Sequence, residues 1–207
     1  MKHLDELEAH YASAVGADPE FGMMTSLEGN TVGIFEWPKG SSRMGVHLYA
    51  SAGISVPGPG GRGHSHTVEV FCGVKQDPTQ VLEAFANLIT SLVCSTTLHP
   101  ACHGVFVAGD WEVIEGRKFT GWILTERPDF LIPDLELKDG RHITFLDALP
   151  VFPEEAEFRH GNRADELLSM WEEWEVKSWD LDRGLHPSLQ RKKKPFWLRS
   201  ALTKGRR

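Results

Sequence analysis

Residues 67–93 read Thr67-Val-Glu-Val-Phe-Cys-Gly-Val-Lys-Gln-Asp-Pro-Thr-Gln-Val-Leu-Glu-Ala-Phe-Ala-Asn-Leu-Ile-Thr-Ser-Leu-Val93, and two periodicities meet within them. Val68, Val70 and Cys72 alternate with Thr67, Glu69 and Phe71, the period-two pattern of a strand. From Asp77 the period changes. The Asp77 side chain can accept from the first free backbone N–H groups of a helix, and Pro78 suits the first helical position, where no donor is needed. Val81, Phe85, Leu88, Ile89, Leu92 and Val93 then form a broad apolar stripe, as expected of a helix lying across a sheet.

The flanking sequence extends this pattern in both directions. Leu4, Leu7, Tyr11 and Val15 place an amphipathic helix over 3–15, and Gly16 stands just past it as a stop signal. Segments at 31–37 and 46–55 are rich in β-branched and aromatic residues and predict strands. Residues 56–65, Val-Pro-Gly-Pro-Gly-Gly-Arg-Gly-His-Ser, form a connection. Further strands are expected near 104–108, 119–125 and 142–149, with a turn at Lys138-Asp139-Gly140. A helical region begins after Pro153 and resumes near Asn162, carrying Leu167, Leu168, Trp171 and Trp174. No internal repeat is present. The fold class is therefore α+β: a single domain with a largely antiparallel or mixed sheet and helices packed against it.

Composition narrows the function. With 207 residues, 41% of them hydrophobic and 10% aromatic, the chain can bury a core of its own. No apolar run follows Met-Lys-His-Leu-Asp-Glu-Leu-Glu, so no signal peptide is expected, and no stretch approaches the roughly 20 apolar residues that span a bilayer. Cys72, Cys94 and Cys102 are an odd, irregularly spaced set, which fits reduced thiols in a cytoplasmic protein. The net charge of −7 is unevenly spread. Nine basic residues and no acid lie in 183–207, leaving 13 basic against 29 acidic residues in 1–182, a balance of −16. A body of that charge repels nucleic acid and anionic lipid and favours a cationic partner. Acidity also serves simply as a solubility device.

Each candidate for chemistry has a plainer structural explanation. His64 and His66 on one strand face, joined by His99, Cys102 or His103, have ligand types that zinc accepts, but neither half has a recurrent zinc spacing. Solvated loop histidines and a buried thiol account for the same residues. Cys102 and His103 are sequence neighbours, which usually point apart, and no third group to activate a dyad is identifiable. Glu154 and Glu155 suit a helix start through the helix dipole, and Glu172 and Glu173 suit the wet face of an amphipathic helix. Gly58, Gly60, Gly61 and Gly63 precede a strand and lack a following Gly-Lys-Ser/Thr, so they make no phosphate loop. No catalytic residue, metal or cofactor is therefore assigned. Seven tryptophans remain, at 37, 111, 122, 171, 174, 179 and 197. Trp122, Trp171 and Trp174 read as core, whereas one left half exposed beside an acidic surface would make an interface anchor.

The order of the segments resembles the suppressor-of-fused family, specifically its N-terminal domain. Four blocks carry the resemblance, in the family's order. They are Thr67–Val74, the strand centred on a Glu; Pro78–Val93, the helix with its opening proline; Gly121-Trp-Ile-Leu-Thr-Glu-Arg-Pro-Asp-Phe130; and Ile143-Thr-Phe-Leu-Asp-Ala-Leu-Pro-Val-Phe-Pro-Glu-Glu155. The resemblance implies a non-catalytic protein-binding domain. It covers Thr67 to Arg183, with weaker agreement over 31–66; residues 1–183 are expected to form the domain, and the charge count sets 184–207 apart as a basic, flexible tail. The one-domain length looks like bacterial relatives that serve as immunity or antitoxin proteins, which neutralise a toxin by occlusion. A regulatory scaffold is the alternative, and a His/Cys metalloprotein or enzyme a further one. In the family the segment after the second helix faces the partner, which here points to His99, Cys102 and His103. The tail carries Phe196, Trp197, Leu198 and Leu202 among its basic residues. It suits docking on an acidic or membrane surface, or folding back onto the acidic body.

Overall fold

A computed structural model describes residues 2–27, 30–41, 45–55, 67–76, 79–94, 101–109, 113–126, 132–161 and 164–190. Asp77 and Pro78, the connection at 56–65, Trp111 and the residues from 191 onward lie outside them. Helix α1 (Lys2–Val15) leads into strands β1 (Glu20–Leu27), β2 (Asn30–Trp37), β3 (His47–Ala52) and β4 (Val68–Val74). Helix α2 (Thr79–Cys94), strands β5 (Phe106–Ala108), β6 (Gly121–Thr125), β7 (Leu135–Glu136) and β8 (His142–Val151), and helices α3 (Pro153–Gly161) and α4 (Ala164–Glu173) follow. The sheet runs β1-β2-β3-β4-β8-β6-β5, with β7 paired to β8 to one side. Among the described residues every pairing is antiparallel except β4 with β8, where Val68 lies beside Thr144 and Phe71 beside Asp147. The expected mixed α+β architecture is the one observed.

Alternation sorts the strands between two layers of helix. Val68, Val70, Cys72 and Val74 of β4 join Trp122, Leu124, Leu146 and Ala148 under α2. That helix buries Val81, Ala84, Phe85, Leu88, Ile89 and Leu92, the stripe read from the sequence, with Val93 packed at its border. Each large side chain so buried contributes about 1.5–3 kcal/mol. Phe71, Ile143 and Phe145 point the other way, with Phe35, Trp37 and Leu48, onto Leu7, Tyr11 and Val15 of α1. Further along β8, Leu149 and Val151 meet Leu167 and Trp171 of α4. So α2 covers one face, and α1 with the α3–α4 pair covers the other. Gly16 ends α1 with φ +82° and donates its N–H to Ala12 O at 2.9 Å, the left-handed stop that glycine adopts without a Cβ clash.

Strand β1 was not expected, and β4 carries an unexpected group. Glu69 faces the α1 layer and is fully buried. Its carboxylate accepts from Ser51 Oγ at 2.5 Å, Ser55 Oγ at 2.6 Å, and the amides of Gly53 and Ser55 at 3.0 Å each. Gly53 makes this cradle possible. Its φ is +114°, and a Cβ there would lie 2.5 Å from Thr31 O. His3 of α1 hydrogen-bonds Ser55 Oγ at 3.0 Å and Tyr11 donates to Ser51 O at 2.9 Å, so the carboxylate also fixes where α1 sits. Burial, and then the nearby Glu69 charge, push the Tyr11 phenol well above its ordinary range.

Candidate partner-binding face

The residues singled out for chemistry are placed as follows. His64, His66 and His99 lie outside the described residues. Cys102 is exposed, and His103 follows it in the loop between α2 and β5. The His103 Nδ1 accepts from the Glu126 amide at 3.0 Å, which puts the ring proton on Nε2. Nε2–H then donates to Asp165 Oδ1 at 2.8 Å. With both nitrogens engaged, the imidazole has no lone pair for a neighbouring thiol. It ties the loop to the end of β6 and the first turn of α4 instead. Among the described residues, no group of three or more His, Cys, Asp or Glu side chains could hold a metal ion. Cys72 is buried, and desolvation, followed by the Asp147 charge, pushes its thiol well up and away from reactivity.

Glu155 required more than a helix dipole. It sits in the first turn of α3, where its Oε2 accepts from the Phe152 amide at 2.9 Å, one half of a capping box. The same fully buried carboxylate receives Arg183 through two bonds, at 2.7 and 2.9 Å, and Trp171 Nε1–H at 3.1 Å. The Arg183 side chain is only 6% exposed, and its guanidinium lies 4.8 to 5.2 Å from the Phe119, Phe152 and Trp171 ring centroids. It also donates to Pro150 O at 2.8 Å. The first cation of the basic C-terminal stretch is therefore an internal brace. Glu172 and Glu173, by contrast, are exposed on α4 as expected.

Arg183 floors a cleft of about 890 Å³ between residues 116–120, the start of α3 and the segment 181–185, with Gln190 at its edge. The stretch of chain between its lining residues Glu154 and Asp182 is acidic. Residues 154–182 hold ten carboxylates against three cations, and Glu157, Asp165, Glu166, Glu172, Glu173, Glu175 and Asp182 are exposed. The tryptophans separate clearly. Trp37, Trp122 and Trp171 are core, and Trp174 stacks on His186 with centroids 3.3 Å apart. Trp179 is 41% exposed, the one large apolar side chain so exposed among the described residues.

Trp179 is held, not loose. Its carbonyl accepts from the Lys75 amide at 3.0 Å at the end of β4, and Leu181 is buried two residues later. Gln76 pins the same turn: its Oε1 accepts from the Leu181 amide at 2.9 Å, and its Nε2 donates to Asp180 and, at 3.1 Å, to Asp182. Burial opposes ionisation of Asp180, but donors from Gln76 and the Asp182 amide, with Lys75 at 3.7 Å, outweigh it and lower its pKa. An exposed aromatic is thus displayed on a held backbone next to Asp180. Nothing in the spacing of 154–182 singles out Trp179 from the other tryptophans, and the Gln76 contact that holds the residues after it comes from about a hundred positions away in sequence.

A family model described as suppressor of fused protein (SUFU) matches residues 28–184. The chain belongs to the suppressor-of-fused family. Three of the four blocks quoted from the sequence fall on the centre of the family sheet, at β4, β6 and β8, and the fourth is α2. A suppressor-of-fused homologue from Neisseria gonorrhoeae is similar in structure, with 18% identity and a TM-score of 0.67 over 89% of this chain and 96% of that one. The Sufu–Fu complex gives 12% identity and a TM-score of 0.64 over 88% of this chain and 91% of that one. Drosophila Suppressor of Fused gives 13% and 0.62, and there the match covers 88% of this chain but 50% of the other. No curated protein matches the sequence significantly. Among the described residues, no helix is long and apolar enough to cross a membrane.

Proposed function

We propose that this suppressor-of-fused domain is a non-catalytic, cytoplasmic protein-binding module that neutralises a cationic toxin by occlusion, as an immunity or antitoxin protein of bacterial type. The observation that carries the reading is Trp179, 41% exposed and held firmly within the acidic segment 154–182. A fixed aromatic supplies contact area and a cation–π acceptor, and the surrounding carboxylates steer a positive partner toward it. A similar structure is a complex of Sufu with Fu, which supports binding of another protein as the kind of task this fold performs. The buried carboxylates Glu69 and Glu155 are saturated by internal donors, so neither is available as a catalytic acid or base. We include the loop of His99, Cys102 and His103 as a second contact, with exposed Cys102 its accessible member.

The test is co-purification and binding kinetics with the product of an adjacent toxin-like reading frame. Association should slow as salt rises from 50 to 500 mM, because the Debye length shrinks from above ~10 Å to a few ångström. Trp179→Ala should weaken the complex about 30-fold or more, the loss of a hot-spot aromatic. Salt-indifferent association together with full affinity of that variant would sink the proposal.

A further inference from the structure

The cleft floored by Arg183 lies where the described chain stops. Gln190, the last described residue, is one of its lining residues. The chain continues as Arg191-Lys-Lys-Lys-Pro-Phe-Trp-Leu198: four cations, then an apolar block. The cleft offers a counterpart to each. Phe119, Phe152 and Leu185 supply apolar lining, and Glu154 at the start of α3 forms no ion pair among the described residues. Asp182 also lines it but is paired with Arg117, and Lys118 and Arg183 are lining cations, so Glu154 is the carboxylate left to meet a cation of the tail.

Reach is sufficient. Trp197 lies seven positions beyond Gln190, and at ~3.3–3.6 Å per position these extend to about 23–25 Å. A cleft of about 890 Å³ is only roughly 10 Å across, in the size class that buries a drug-sized ligand. The connection also supplies concentration. A short tether holds its cargo at about millimolar effective concentration, so contacts too weak to retain a free peptide are occupied within one chain.

We propose that this cleft is the docking site of the chain's own C-terminal segment, with Phe196, Trp197 and Leu198 in the cleft and one cation of Arg191 to Lys194 against Glu154. The inference needs no outside partner and stands or falls separately from the toxin-binding reading.

The full chain carrying photoreactive benzoylphenylalanine in place of Trp197 tests it. Irradiation at two protein concentrations, tenfold apart, is followed by mass spectrometry of the crosslinked peptides. The expected result is crosslinks within one molecule to residues 116–120, 152–154 or 181–185, in equal yield at both concentrations. Crosslinks between two molecules, or spread over the domain away from the cleft, would overturn the proposal. A second measurement uses amide spectra of the full chain. Trp197→Ala should move the Gly116 and Gly184 resonances and leave Gly140, at the opposite end of β8, in place. Unmoved Gly116 and Gly184 signals would equally overturn it.

Discussion

Substituting Glu155 by Gln changes almost no volume and removes one charge, which makes it a sharp probe of the Arg183 brace. Each carboxylate oxygen faces two donors: Oε1 receives Arg183 and Trp171, and Oε2 receives Arg183 and the Phe152 amide. An amide nitrogen at either position would point a donor at two donors, and the guanidinium would be left buried without its counterion. Removing one partner of such a pair costs about 3–5 kcal/mol. With a urea m value near ~3 kcal/mol/M for a chain of this size, the midpoint should fall by about 1–1.7 M. Arg183→Met should cost about as much. In the double variant the charges vanish together and the new side-chain carbonyl at position 155 still accepts from one of Phe152 N–H and Trp171 Nε1–H, so the other of these and Pro150 O lose partners, at about 1–3 kcal/mol each. The two single losses should therefore exceed the double loss by about 2 kcal/mol or more. Equilibrium urea denaturation of the four proteins measures this directly. Additive losses, with a coupling below about 0.5 kcal/mol, would refute the brace.

Three further outcomes follow from the α1 layer and the cysteines. Gly53→Ala should destabilise by about 1–3 kcal/mol, because the new Cβ would press on Thr31 O in a left-handed backbone, and a thermal melt should fall by several degrees. Burial holds the His3 pKa below its ordinary 6.5, so the unfolded chain binds that proton more readily than the folded one. Its contribution to stability is present above pH 6.5 and is lost as pH falls through the lowered value; His3→Gln should show a shallower decline between about pH 7 and 5 in parallel urea titrations. Iodoacetamide should label exposed Cys102 in the native protein and spare Cys72 until unfolding, as read by intact-mass spectrometry; native labelling of Cys72 at a comparable rate would contradict its placement.

Strong local patterns made most of the fold legible. The α2 stripe and the alternation at 67–74 each repeat an intact period, and both became single elements with the expected faces. Strand β1 was missed because Glu20-Phe-Gly-Met-Met-Thr-Ser-Leu27 has a glycine, two methionines and one β-branched residue, and so neither period stands out. What the sequence could not convey was pairing at a distance. Glu155 at a helix start looks like a dipole partner until Arg183, 28 residues later, is seen folded under it. Glu69 reads as the polar member of a strand until α1 and the β3 end close over it. The candidate face was half legible: its acidity is a matter of counting, whereas the exposure of Trp179 depends on which tryptophans the core absorbs.

The single parallel pairing at the centre of the sheet has a kinetic consequence. The four N-terminal strands are joined in sequence as antiparallel neighbours, and β6 lies close in the chain to β8, so each half can zip up locally. Joining the halves requires Val68 to find Thr144, 76 positions away, before any contact rewards the search. Closing a loop of that length costs roughly 4 kcal/mol of chain entropy beyond a constant term. That junction should be the slow step of folding. During synthesis, the strands that will flank it, β4 and β8, must wait with open hydrogen-bonding edges, β4 through the emergence of some seventy further residues. A ribosome-bound chain of this kind is most exposed to wrong strand partners at the very place where the finished molecule is best protected.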